Sequence, residues 1–312
     1  MRPLKIIGKS LAGLLAAAFL AVAGFTGYHH IMLHVEAGRL APAGQLVTVD
    51  GHQMSVLASG PTSDEATIVF IAGAGTASPI YSFKPLTDRL DGELHSVVVE
   101  RFGYGYSDDA GTDRHVATVL AETREALRQA GETPPYVLAP HSMGGLEALY
   151  WAQTYPDEVV GIVGLDMAVP HSYDSLDFES EKSTIDLGRR LRFFGLSRLM
   201  SGDQPTEGLT SEELAQQELL AHRNFLDDAQ YDEGLALLEN AATVQAGAIP
   251  DAPILMFVSD GEEIGSFWVP ASTEFAQQTG AELVQLDAGH YVFQYEPDLI
   301  ADQMTAFVET LG

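Results

Sequence analysis

The chain has 312 residues, with 16 Lys and Arg against 44 Asp and Glu, so its net charge is −28. A surface this acidic repels phosphate backbones and excludes nucleic acid as a partner. With no cysteine in the chain, disulfides, thiolate catalysis and cysteine-ligated zinc are excluded together, and no other metal site or cofactor motif is read.

Arg2, Lys5 and Lys9 precede an uncharged stretch from Ser10 to Tyr28, rich in Leu, Ala, Val and Phe. Such a stretch is just long enough to cross a bilayer, and its flanking positive charges stay in the cytoplasm. Residues 1–35 are therefore read as an N-terminal membrane anchor that holds residues 36–312 outside the cytoplasm. The alternative is secretion after signal cleavage, because Ala21-Val22-Ala23 has the small-x-small form of a cleavage site. Apolar residues continue past that site to Leu33, which favours the retained anchor.

In the body, Leu46–Val49 and Met54–Ala58 flank Asp50-Gly51, which predicts a hairpin with a tight turn. Thr67–Ile71 and Ser96–Val99 are short apolar runs rich in β-branched residues, hence buried strands. Ala117–Gln129 is amphipathic and ends at Gly131, as a helix does. Tyr136–Ala139 predicts a further strand, Leu146–Thr154 a helix, and Val159–Leu165 a strand that stops at Asp166. Ile254–Val258 and Glu282–Leu286 follow as strands, and Ile300–Leu311 closes the chain as a helix. Strands that are apolar throughout and alternate with helices predict a mostly parallel sheet covered on both faces. Ligands of such sheets bind beyond the carboxyl ends of the strands. Pro170–Ile249 contains no strand pattern; it predicts a helical lid insertion over about 170–249, one helix opening with a serine cap at Ser211.

The residues suited to chemistry stand after the strands. Ala139-Pro140-His141-Ser142-Met143-Gly144-Gly145 joins a strand to a helix. A serine on so tight a turn projects its hydroxyl from the sheet edge, and the Met143 amide at the following helix start can donate to an oxyanion. Here the chain resembles the α/β-hydrolase family, from about residue 45 onward, and most closely small bacterial hydrolases with an N-terminal membrane anchor. Ser142-Met143-Gly144 matches the second half of the family's G-x-S-x-G elbow, with Pro140 in place of the first glycine. Arg101-Phe102-Gly103-Tyr104-Gly105 is similar to the family's glycine-rich turn, and Gly289-His290 before the closing helix to its histidine loop.

The resemblance implies an α/β-hydrolase fold and a serine hydrolase that cleaves carboxylic esters of a small acyl substrate. Ser142 is then the nucleophile and His290 the base. The acid is Asp166, at the end of an apolar strand, or alternatively Glu262 in the later loop, with Asp260 third. The oxyanion would lie between the Met143 amide and, by position in Ala72-Gly73-Ala74-Gly75, the Ala74 amide. His141 supports the elbow or lines the substrate pocket, and Trp268 with Phe267 lines the acyl pocket or packs in the core. Amidase, peptidase or acyltransferase chemistry on the same groups stays open, as does a non-catalytic ligand-binding protein of this fold. In the lid, Arg189, Arg190, Arg192 and Arg198 interleave with Leu191, Phe193, Phe194, Leu196, Leu199 and Met200. Either the apolar stripe packs on the sheet with the arginines in water, or the arginines meet anionic lipid.

Overall fold

A computed structural model describes residues 2–62, 66–200 and 208–311; the side chains of Arg2, Lys5 and Lys9 lie outside the described ones. The chain opens with one long helix, α1 (Arg2–Ala37), and then forms β1 (Gln45–Val49) and β2 (His52–Ser59). The hairpin turns at Asp50 and Gly51, with φ of 48° and 86°. Two successive positive φ values give a turn whose twist matches that of the strands.

Beyond the hairpin, strands and helices alternate: β3 (Thr67–Ile71), α2 (Pro79–Leu90), β4 (Ser96–Glu100), α3 (Val116–Ala130), β5 (Tyr136–Ser142), α4 (Gly144–Thr154) and β6 (Val159–Met167). A helical insertion follows, with α5 (Phe178–Phe193), α6 (Ser211–Asn224) and α7 (Asp228–Gln245). The sheet resumes with β7 (Ile254–Val258), α8 (Trp268–Thr279) and β8 (Glu282–Gln285), and the chain ends in α9 (Val292–Tyr295) and α10 (Pro297–Glu309).

Among the described residues, eight strands form one sheet in the order β1-β2-β4-β3-β5-β6-β7-β8. β1 and β2 run antiparallel to their neighbours, and every pairing from β4 to β8 is parallel. Alternation along each strand divides the core. Val69, Ile71, Val97 and Val99 face α3, α4 and α8, while Ile68, Phe70 and Val98 face α2, α9 and α10. Strand order reverses between β3 and β5, so the crevice beyond their carboxyl ends is the place for a ligand in such a sheet.

Several details depart from the sequence reading, which places no helix at α8. α2 was not expected, because Pro85 inside it and its many buried positions hide a helical period; Pro79 sits at its first turn, where proline costs nothing. α6 is capped by Thr210 rather than Ser211: the Glu213 N–H donates to Thr210 Oγ1 (3.3 Å), and the Thr210 N–H donates to Glu213 Oε2 (2.8 Å). The insertion is also turned opposite to the expected stripe. Arg189 pairs with Asp228 and Arg198 with Glu36 of α1, and Arg192 donates to the Arg223 carbonyl (2.9 Å), whereas Leu187, Phe193, Phe194, Leu199 and Met200 are exposed.

At the start of α7, Asp227 accepts the Gln230 N–H (2.9 Å) as a cap while buried. Burial pushes its carboxyl up to about 7. In the unfolded chain this aspartate ionises near 4, so its contribution to stability is complete below about 4 and is lost as pH rises through about 7. Asp227→Asn keeps the cap and removes that loss. The variant is expected to gain stability over the parent between pH 4 and 8, on the order of 2–4 kcal/mol. Urea unfolding of both proteins across that range measures it, and a pH-independent difference would contradict it.

Candidate active site

Only Met143 separates the end of β5 at Ser142 from the start of α4 at Gly144. The reversal is achieved by Ser142 itself, at φ 49°, a left-handed conformation that costs a non-glycine residue roughly 1–3 kcal/mol and is held by its surroundings. Those surroundings leave no space for larger neighbours. A Cβ on Gly73, in the turn after β3, would lie 2.6 Å from Ser142 Cβ and 3.2 Å from its Oγ. A Cβ on Gly145 would lie 2.1 Å from the Ala168 carbonyl oxygen beyond β6. The Ser-x-Gly-Gly sequence is thus what allows strand, helix and neighbouring loops to converge on the serine. Pro140 pairs with Ile71 of β3 without breaking β5.

Asp166 stands on the adjacent strand. His141 lies opposite Leu165 and Ser142 opposite Met167, so Asp166 is an extra residue in a bulge, at φ 51°. A bulge re-aims a side chain, and this one turns a fully buried carboxylate past the end of β7. Asp166 Oδ1 accepts the Ser259 N–H (2.9 Å) and the Trp268 Nε1–H (2.7 Å). Its Oδ2 lies 2.6 Å from His290 Nδ1. A carboxylate acceptor makes Nδ1 the protonated nitrogen and leaves Nε2 with a free lone pair. The His290 backbone N–H donates to Glu263 Oε2 (2.8 Å).

Glu262 is exposed and enters its turn through a backbone N–H donated to Asp260 Oδ1 (2.8 Å). The geometry therefore brings Asp166, and neither Glu262 nor Asp260, to His290. Trp268 is buried behind Asp166, donating from Nε1 to its Oδ1, with its ring edge-on to His290 at 5.5 Å. His141 is likewise buried, stacked 4.6 Å from both His290 and Tyr291 and donating from Nε2 to the His290 carbonyl (3.3 Å). Burial, and then the neighbouring His290, hold His141 well below the ordinary histidine range, so it supports the loop as a neutral ring.

A model of the alpha/beta hydrolase family matches residues 68–303. The chain belongs to the α/β-hydrolase family. YbdG of Bacillus subtilis (strain 168) is 33% identical to this hydrolase over 95% of the chain and 94% of its own length. The pimeloyl-[acyl-carrier protein] methyl ester esterase of Stenotrophomonas maltophilia (strain R551-3) is 29% identical over 74% of the chain and 88% of its own length. Among solved structures, haloalkane dehalogenase DbeA from Bradyrhizobium elkani USDA94 superposes with a TM-score of 0.61 at 18% identity, covering 86% of this chain and 97% of its own. That last likeness is one of fold alone.

The hydrolase also carries a buried ionic cluster behind the site that the sequence did not reveal. Arg101, just past β4, donates from Nη1 to the Ala72 carbonyl (2.7 Å) and to Glu147 Oε2 of α4 (3.4 Å), and its Nη2 lies 3.0 Å from Glu233 Oε1 of α7. The Thr123 hydroxyl donates to Glu147 Oε1 (2.6 Å), and the Tyr104 hydroxyl donates to Glu233. One guanidinium thus ties the turn after β3, the helix after Ser142 and the insertion together. Ala74, exposed in that turn, and Met143, at the start of α4, stand on the two segments it joins.

Proposed function

We propose that this enzyme hydrolyses a carboxylic ester through Ser142, His290 and Asp166, with the helical insertion as a lid. The observation that carries the reading is the 2.6 Å contact from Asp166 Oδ2 to His290 Nδ1, made beside a serine held at φ 49°. Ser142 Oγ attacks the ester carbonyl as His290 Nε2 takes its proton. The Met143 and Ala74 amides receive the oxyanion. Collapse expels the alcohol, protonated by His290, and leaves an acyl-Ser142 ester. Water, deprotonated by His290, then releases the acid and restores the serine. Asp166 keeps its charge throughout and stabilises the imidazolium. The relative named as a methyl ester esterase supports ester over amide chemistry.

In the same reading α1 anchors the enzyme in a membrane, with the body outside the cytoplasm. Its apolar part, Ala12–Ala37, is long enough to cross a bilayer, and residues 12–24 of it are exposed. Alkaline extraction of membranes is expected to leave the full chain in the pellet.

A fluorophosphonate probe tests the chemistry. The full chain in detergent is expected to be labelled, and Ser142→Ala and His290→Ala to lose the label. Failure of the well-folded parent chain to react would replace this reading with that of a ligand-binding protein.

A further inference from the structure

We infer that the substrate is an amphiphilic acyl ester drawn from the bilayer through a cavity that opens beside the anchor, an inference that rests on the ester and anchor readings above. The last turns of α1 are built into the body. Phe25, Thr26, His29, Met32, Leu33 and Glu36 are shielded, at the spacing of one helix face, while Tyr28, Ile31 and Val35 point away. Arg198 of the insertion donates from Nη1 and Nη2 to the two oxygens of Glu36 (2.8 and 2.7 Å) and from Nε to His29 Nδ1 (2.9 Å). His30 Nε2 donates to the Phe193 carbonyl (3.1 Å). A paired, buried guanidinium of this kind fixes orientation as well as contact.

This clasp sets the height of the body. From Ser10, about 20 helical residues, or about 30 Å, cross the hydrocarbon and reach His29. The segment bonded to His29 and His30 therefore lies at the membrane boundary. It is there that Phe193, Phe194 and Leu199 are exposed, at 58%, 44% and 68%. An apolar cluster beside a membrane-crossing helix is matched by lipid, not by water.

Behind this rim lies a cavity of about 480 Å³, a size that holds small organic ligands. Its walls include Ser197, Arg198 and Met200 of the segment that carries the rim, Glu218 and His222 of α6, and Gly75 and Ala77 of the turn whose Gly73 abuts Ser142. Gln217 and Phe225 complete the part that matters here. Gln217 Nε2 and Ser197 Oγ are buried without a hydrogen-bond partner among the described residues, an arrangement that costs stability until something fills it. The cavity thus lies between the segment that carries the apolar rim and the turn beside the serine, and its lining mixes apolar Met200, Leu214 and Phe225 with polar Gln217 and His222, which suits an acyl chain joined to an oxygen-bearing head.

The test compares two esters on the full chain reconstituted in phosphatidylcholine vesicles: a diacylglycerol carried in the same vesicles, and water-soluble p-nitrophenyl butyrate. The triple variant Phe193→Ser, Phe194→Ser, Leu199→Ser changes only exposed side chains. It is expected to lose at least tenfold in turnover of the vesicle-borne ester while p-nitrophenyl butyrate hydrolysis is unchanged. Equal loss on both esters, or loss on neither, overturns the membrane-fed route. If the parent chain cleaves the soluble ester but not the diacylglycerol, the substrate class is overturned and the ester reading stands. If it cleaves neither, the ester reading itself fails.

Discussion

Asp166→Asn is expected to lower kcat on an ester by on the order of 10³–10⁴ while leaving KM within a few-fold. The amide is nearly isosteric, and asparagine tolerates the left-handed backbone that Asp166 adopts at φ 51°. Its oxygen can still accept from the Ser259 N–H and the Trp268 Nε1–H, as Asp166 Oδ1 does. The group facing His290 Nδ1 then becomes an NH2 donor. The ring must turn its proton to Nε2, where it can no longer accept from Ser142, and the imidazolium loses its counter-charge. Glu262→Gln, at an exposed turn position, is the paired control and is expected to retain parental kcat. Steady-state kinetics on p-nitrophenyl butyrate distinguish the two. Retention of activity by Asp166→Asn with loss in Glu262→Gln would transfer the acid to the later loop.

Arg101→Met is expected to be the most destabilising single change outside the hydrophobic core. It leaves Glu147 and Glu233 buried with their shared cation gone, and breaking a buried pair from one side costs about 3–5 kcal/mol. For a domain of this size that is a fall of about 10 °C in Tm. Burial already raises the Glu147 carboxyl, so losing the guanidinium favours proton uptake there. The Ala72 carbonyl also loses its 2.7 Å donor, and the turn beside Ser142 loosens. The triple variant Arg101→Met, Glu147→Gln, Glu233→Gln separates the two effects. Removing the unpaired charges is expected to recover most of the Tm, whereas kcat stays low because the Ala72 carbonyl is still without its donor. Recovery of kcat together with Tm would show that Arg101 matters to folding and not to the turn.

What the sequence made legible follows from how local each signal was. The sheet was readable because runs such as Thr67–Ile71 and Val159–Leu165 are apolar on both faces, a pattern that parallel strands impose wherever they occur. Ser142 stood out because strand, serine and glycine helix start are contiguous. Asp166 was visible as a strand end, but the bulge that aims it depends on pairing with β5, and its hydrogen bond from Trp268 spans 102 residues, so position alone left Glu262 in contention. Glu263, which holds the His290 backbone, was indistinguishable from its neighbour Glu262. The cluster around Arg101 draws on three elements, and no local pattern announces it. The insertion was misread for a similar reason. Arg189, Arg192 and Arg198 face partners on α7, α6 and α1, and an apolar stripe tells which residues share a face without telling which way that face points.

The position of the clasp on α1 has a consequence for processing. Its first shielded residue, Phe25, follows Ala21-Val22-Ala23 by two positions. A cut after Ala23 would remove the exposed apolar turns before Phe25 and leave His29 and Glu36 bonded to Arg198 in a shortened first helix. Tethered and released forms of the enzyme would then carry the same folded insertion and the same serine, and would differ in their address alone.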